Sequence, residues 1–285
     1  MLKRLLICIV LLFSMCEVTF ALSILPNSSP PLSPEQPDTS VPANSAGVKP
    51  SARDKQISSL AQLYHKYPET IKTRGERIKQ IALTFDDAPD SRFTAQVLDV
   101  LDKHHVKATF FVIGERAKKH PELVARMNRE GHSIGNHSYN HPQFSKISFD
   151  SFQDQILKTE QIIHQIVGYS PRLIRPPYGD ITESQLKWAK AHGYKIINWN
   201  VDSLDWKGLS KEEVKKNILS SVGPGSIILQ HAGGGEGSDL KGSIEALPEV
   251  IQELRDKGYT FVLVADMLHI SMSKEKTTSP SLKRE

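Results

Sequence analysis

Between residues 81 and 265 the chain alternates short apolar runs with stretches whose apolar residues recur every three or four positions. The runs, at 81–86, 108–113, 132–137, 173–175, 194–201, 226–231 and 259–265, are rich in Ile, Val and Phe and read as strands. The first six are each followed by a predicted helix, at 95–104, 121–130, 149–167, 183–192, 211–221 and 244–257. Gly131, Gly168, Gly193 and Gly258 follow helical segments, where a residue free to turn left-handed closes the last turn. Repeated strand–helix units with short links predict a parallel sheet covered by helices.

Seven such units fit an open doubly wound sheet or a barrel. The polar residues at the strand ends favour the barrel. Asp86 and Asp87, His137, Arg175, Asp202 and Asp205, and His231 stand at or just past the C-terminal ends of five different strands. A closed ring brings those ends to one mouth, whereas an open sheet spreads them along a crevice. The predicted fold is therefore an irregular (β/α)7 barrel, a deformed relative of the eight-unit TIM barrel.

The flanks have a different character. Lys3 and Arg4 precede an apolar run broken by Glu17, shorter than the roughly 20 residues of a membrane span. Residues 1–22 are read as a secretory signal peptide, with an uncleaved membrane anchor or a lipidated Cys16 as alternatives. Residues 23–66 read as a Pro- and Ser-rich tether ending in a short helix, 67–270 as the catalytic domain, and 271–285 as a disordered tail. The expected location is outside the cell or on its surface.

Both cysteines, Cys8 and Cys16, fall in the leader, so a cleaved chain has no thiol chemistry. A metal would have to be held by His, Asp or Glu, which favours Zn²⁺, with Co²⁺ or another divalent ion also suited. The net charge of +4 comes without a basic block, which argues against a nucleic-acid partner. Nothing in the pattern predicts an oligomer, and a monomer is expected.

The chemistry starts at Asp86-Asp87. At a strand end two adjacent carboxylates can turn into one cleft, one holding a metal while the other takes a proton. His137 and His141, four residues apart, complete a two-His, one-carboxylate set with Asp87 and leave coordination positions open. Asp86 is then the candidate base. His231 is the candidate acid if a carboxylate, Asp205 or Asp202, holds its proton. Arg175, stiffened by two following prolines, is expected beside Asp86, keeping it ionised and oriented.

Five segments carry a family resemblance: Thr84-Phe-Asp-Asp-Ala-Pro89, His137-Ser-Tyr-Asn-His141, Arg175-Pro-Pro-Tyr-Gly179, Asp202-Ser-Leu-Asp-Trp206 and Ile228-Leu-Gln-His231. In this order they resemble the motifs of the polysaccharide deacetylases, the NodB homology domain or carbohydrate esterase family four. The resemblance covers roughly residues 79–270. It implies a deformed (β/α) barrel and metal-dependent removal of acetyl groups from a polysaccharide. Peptidoglycan N-acetylglucosamine is the first expected substrate and chitin-like oligomers the second. An O-acetyl xylan-type esterase and an inactive wall-binding module are the alternatives.

By position, the resemblance makes Asp86 the base, Asp87, His137 and His141 the metal ligands, His231 the acid, Asp205 its partner and Arg175 the group orienting Asp86. It further implies that the Tyr178 backbone N–H meets the oxyanion and that Trp206 and Leu229 line the acetyl pocket. Ala88 replaces the family's usual Gly and is expected to border the sugar site. The Gly233-Gly-Gly-Glu-Gly-Ser-Asp239 loop is expected to move over the cleft.

Overall fold

The computed structural model describes residues 60–274, so the expected leader and tether at 1–59 and the tail from 275 onward lie outside the described residues. Residues 60–66 form helix α1. The chain continues through β1 (Ile71–Lys72), β2 (Gln80–Ala88), α2 (Thr94–Lys103), β3 (Thr109–Val112), α3 (Gly114–Lys119), α4 (Pro121–Arg129) and β4 (Ser133–Asn136). It goes on through α5 (Phe149–Val167), β5 (Leu173–Ile174), α6 (Glu183–Ala191), β6 (Lys195–Ile197), β7 (Val201–Asp202) and α7 (Lys211–Ser221). The last elements are β8 (Ser226–His231), α8 (Lys241–Asp256), β9 (Thr260–Phe261) and α9 (Val264–Met267). Among the described residues no helix is long and apolar enough to cross a membrane.

All strand pairs are parallel, in the order β1-β6-β5-β4-β3-β2-β8-β7, with β9 beside the start of β2. The predicted strand at 194–201 is in fact two. β6 pairs at one edge and β7 at the other, and residues 198–200 carry the chain between the edges. The sheet is thus a curled half-barrel whose ring is not closed by a strand pair, the architecture expected for a deformed (β/α)7 barrel.

The curl shows in one side chain. Arg175, just past β5, lies three strands from β2, which in a flat sheet is about 14 Å. Yet its Nη1 donates to both Thr84 Oγ1 and Asp86 Oδ1 of β2, each at 2.8 Å.

Strand alternation sorts the core. On β2, Ile81, Leu83 and Phe85 join the large outer core beneath α2, α4, α7 and α8. Ala82 instead joins Phe111, Leu173, Ile197 and Ile227 inside the curl, where Val264 and Met267 of α9 plug it. Thr84 and Asp86 share the face of Ala82 and so point inward. This plug replaces half of the predicted strand at 259–265, an apolar run too short to distinguish strand from helix by pattern.

Two further differences concern the ends of the domain. β1 was not anticipated, because a two-residue strand leaves no period to detect. Residues 271–274, expected to begin a disordered tail, lie against 170–172 through Arg172 N–Met272 O and Lys274 N–Ser170 O bonds of 2.9 Å each. Lys274 also pairs with Glu160 at 2.7 Å.

Candidate active site

The ends of β2, β4, β5, β7 and β8 open into a cleft of about 570 Å³. Strand register does the first part of the assembly: Asp86 of β2 is paired with His231 of β8. Asp86 points inward by alternation, so Asp87 should point away. It does not, because its backbone adopts φ 62°, and both carboxylates line the same cleft.

His137 follows β4. Asn136 turns the chain there, donating from Nδ2 to Ile156 O at 2.9 Å and accepting from Ser138 N at 3.0 Å. Gln155 of α5 accepts from the Tyr139 and Asn140 amides at 2.8 and 3.0 Å. Ser138 and His141 take φ 67° and 63°, which folds the loop until the two imidazoles stand 5.0 Å apart.

The three-residue set fits a cation. His137 Nδ1 lies 2.7 Å from the Arg175 carbonyl, which can only accept, so Nδ1 carries the proton and Nε2 a lone pair. Burial, with His141 nearby, pushes the His137 pKa down to about 3, so the ring is neutral. Its Nε2 faces Asp87 Oδ1 at 3.6 Å, and His141 Nε2 faces the same oxygen at 3.4 Å. That oxygen is buried and has no hydrogen-bond partner. The His137 lone pair turned towards an orphaned carboxylate oxygen is repulsive unless a positive ion sits between them. Donor atoms of Asp87, His137 and His141 all lie within 4.8 Å of one another.

Asp86 sits beside this set, with Oδ2 3.7 Å from His137 Nε2. Its Oδ1 is committed to the fully buried Arg175, whose Nε also donates to Ile197 O at 3.0 Å. The sequence led us to expect Arg175 to hold Asp86 ionised. Burial outweighs it and pushes the Asp86 pKa above the usual carboxylate range, against the pull of Arg175 and His231.

Across the cleft, His231 Nδ1 bonds Asp205 Oδ1 at 2.7 Å. Asp205 Oδ2 accepts from the His231 amide at 2.9 Å and from Ser243 Oγ of α8 at 2.7 Å. Burial disfavours the imidazolium, but Asp205 and the two carboxylates of β2 raise the His231 pKa to about 9. The choice between Asp202 and Asp205 left open by chemistry alone falls to Asp205. Asp202 instead accepts from the Leu204 amide at 2.8 Å and lines the cleft.

The remaining expected residues also reach the cleft. Tyr178, at φ 60° and two-thirds exposed, packs edge-on against His141 with centroids 4.8 Å apart. Leu229 is buried on its wall and Trp206 exposed at its rim. Ala88 does not fit expectation. It is wholly buried in the outer core, paired with Val112, and is not among the residues that line the cleft. The glycine loop does line the cleft, but two arginines grip it: Arg92 Nη2 donates to Gly234 O and Gly235 O at 3.0 and 3.1 Å, and Arg116 Nη2 to Gly234 O at 2.9 Å. Thr84, Asn136, Gln155, Ser243 and Arg116 were missed by the sequence reading. Thr84 alone carried a hint, two residues before Asp86 on the same strand face.

A two-His, one-carboxylate set flanked by an Arg-held acid and an Asp-held imidazole, at the mouth of a curled parallel sheet, has the donors that metal-assisted hydrolysis requires. The chain belongs to the polysaccharide deacetylase family, carbohydrate esterase family 4. The family model for polysaccharide deacetylase matches residues 73–197. A peptidoglycan-N-acetylglucosamine deacetylase of Bacillus cereus is 47% identical over 196 residues, 69% of this chain and 70% of that protein. The peptidoglycan-N-acetylmuramic acid deacetylase PdaA of Bacillus subtilis is 35% identical, covering 79% of this chain and 83% of its own. The peptidoglycan-N-acetylglucosamine deacetylase PgdA of Listeria monocytogenes is 40% identical over 71% of this chain, which spans 41% of that longer protein. A crystal structure of a peptidoglycan N-acetylglucosamine deacetylase, in complex with 4-naphthalen-1-yl-N-oxidanyl-benzamide, matches with TM-score 0.72 and 44% identity, covering 74% of this chain and 100% of that one.

Proposed function

We propose that this protein is a metal-dependent peptidoglycan deacetylase that removes the N-acetyl group of N-acetylglucosamine. The observation that carries the reading is the convergence on one cleft of a cation-binding triad, a proton acceptor and a proton donor. A divalent ion held by Asp87, His137 and His141, with Zn²⁺ the best match to the donors, would supply Lewis acidity and an activated water.

The chain's own residues do the rest. Asp86, with Oδ1 tied to Arg175, keeps Oδ2 for the proton of the attacking water. Its raised pKa brings it nearer the operating pH, which a general base needs. As water oxygen bonds to the acetyl carbon, the Tyr178 N–H stabilises the negative oxygen. His231, protonated at neutral pH, gives its proton to the departing nitrogen as the C–N bond breaks. The products are acetate and a free amine on the sugar. Leu229 supplies an apolar wall for the methyl group, and Trp206 a rim platform for a pyranose ring.

The relatives support glucosamine over muramic acid: the two N-acetylglucosamine deacetylases are 47% and 40% identical to this chain, against 35% for the muramic acid deacetylase PdaA. The leader-like N-terminus and a wall polymer as substrate both support action outside the cell.

The test is acetate release from purified peptidoglycan, N-acetylglucosamine oligomers and acetylated xylan, by the Zn²⁺-loaded protein and its Asp86→Asn variant. Acetate from peptidoglycan by the parent alone supports the reading. Release only from xylan makes it an ester hydrolase, and metal binding without any release makes it a binding module.

A further inference from the structure

Helix α3, invisible in the hydrophobic pattern, touches both halves of the proposed metal set. Its first amides hold the histidine loop: Gly114 N donates to Ser138 O at 3.0 Å and Glu115 N to Tyr139 O at 2.9 Å. One residue later, Arg116 reaches the opposite way. Its Nη1 donates to the backbone carbonyl of Asp87 at 2.7 Å while Nη2 donates to Gly234 O at 2.9 Å. The guanidinium is three-quarters covered and lies 3.7 Å from the buried carboxylate of Asp90.

The carbonyl that Arg116 grips belongs to a residue in an unfavourable conformation. Asp87 holds φ 62°, a region that non-glycine residues enter only against steric resistance, and that turn directs its side chain into the cleft. The neighbouring wall is fitted to the same carbonyl. A Cβ on Gly233 would lie 2.2 Å from Asp87 O and 2.5 Å from Arg116 Nη1. Backbone of the glycine loop, the Asp87 carbonyl and the Arg116 fork therefore form one close-packed joint.

We infer that Arg116 is a positioning residue: by bonding the Asp87 carbonyl from the helix that also carries the histidine loop, it sets the geometry of the cation triad. The inference rests on the triad being the metal site. Arg116 bonds Asp87 at its backbone carbonyl, and it is not among the residues that line the cleft. A lysine there would offer a point charge in place of the two-pronged fork and could not bridge both carbonyls in the same way.

The experiment measures Zn²⁺ affinity of the full chain by competition with a chromophoric chelator, and the visible spectrum of the Co²⁺-loaded protein. Parent, Arg116→Ala, Arg116→Lys and Arg92→Ala are compared, with circular dichroism and melting curves on each. Arg92 grips the same loop, at Gly234 O and Gly235 O, without touching Asp87. The inference predicts a loss of about tenfold to a hundredfold in affinity for Arg116→Ala, the range for residues that orient ligands. Arg116→Lys should fall between it and the parent. The Co²⁺ spectrum should change for Arg116→Ala, and Arg92→Ala should stay near the parent in both readouts. Parental affinity and spectrum in folded Arg116→Ala overturn the inference. An equal loss in Arg92→Ala also overturns it, because the effect then belongs to loop packing. If Arg116→Ala does not fold, Arg116→Lys and Arg92→Ala decide by the same comparison. A parent chain that binds no Zn²⁺ overturns the metal reading itself.

Discussion

Replacing Asp205 with Asn removes the charge that holds the His231 proton while keeping a side chain of nearly the same shape. In the parent, burial alone would depress the His231 pKa, and the Asp205 carboxylate 2.7 Å away, with those of Asp86 and Asp87, reverses this to about 9, against an ordinary 6.5. That difference corresponds to about 3 kcal/mol of preference for the imidazolium. In Asp205→Asn, burial persists and the largest raising influence is gone, so the pKa should fall back towards the ordinary 6.5. At a pKa of about 6.5 the protonated fraction at pH 7.5 drops from nearly all to about one in ten, so kcat/KM falls by up to about tenfold. The assay is acetate release from a soluble N-acetylglucosamine oligomer across pH 5–10. The alkaline limb should move from about pH 9 towards pH 6.5.

Stability follows the same linkage. A histidine with a raised pKa stabilises the fold fully below its unfolded value of 6.5 and loses that stabilisation as pH rises through about 9. Asp205, whose pKa is depressed, contributes above its unfolded value of 3.8. The stability gap between parent and variant should therefore be widest from about pH 4 to 6.5. An alkaline limb that stays near pH 9 in the variant would refute the role given to the pair.

Three more perturbations have defined outcomes. Arg175→Ala strands the buried Asp86 carboxylate and should cost about 3–5 kcal/mol in urea unfolding, part of it recovered by adding Asp86→Asn. Gly233→Ala forces its Cβ to within 2.2 Å of the Asp87 carbonyl unless the backbone moves, and activity should fall roughly 100-fold with the fold retained. Trp206→Ala removes the exposed rim ring, which should raise KM for polymeric substrate several-fold and leave kcat nearly unchanged.

The parts of this site legible in the sequence were those carried by strand ends. Apolar runs stopping abruptly at Asp86, His137, Arg175 and His231 marked the mouth of the sheet, because parallel units place all their C-terminal ends together. What stayed hidden depends on backbone conformation or on isolated contacts. Helix α3 is Gly-Glu-Arg-Ala-Lys-Lys, with Ala117 its only buried apolar side chain, so no hydrophobic period announced it. Ala88 could be placed only with the structure, since alternation beyond the left-handed Asp87 is no longer a guide to direction. Ser243 sits in the first turn of α8 and reads as an ordinary helical serine, although it bonds the carboxylate behind His231. The break between β6 and β7 was hidden because Ile197, Trp199 and Val201 maintain an apolar rhythm across the point where pairing changes edge.

The most direct test of the central claim is mass spectrometry of muropeptides, released from peptidoglycan after treatment with the metal-loaded protein and with Asp86→Asn. The account predicts loss of one acetyl group, located by fragmentation on glucosamine, with the parent and no loss with the variant. Acetyl loss on muramic acid, or equal loss with the variant, would contradict it.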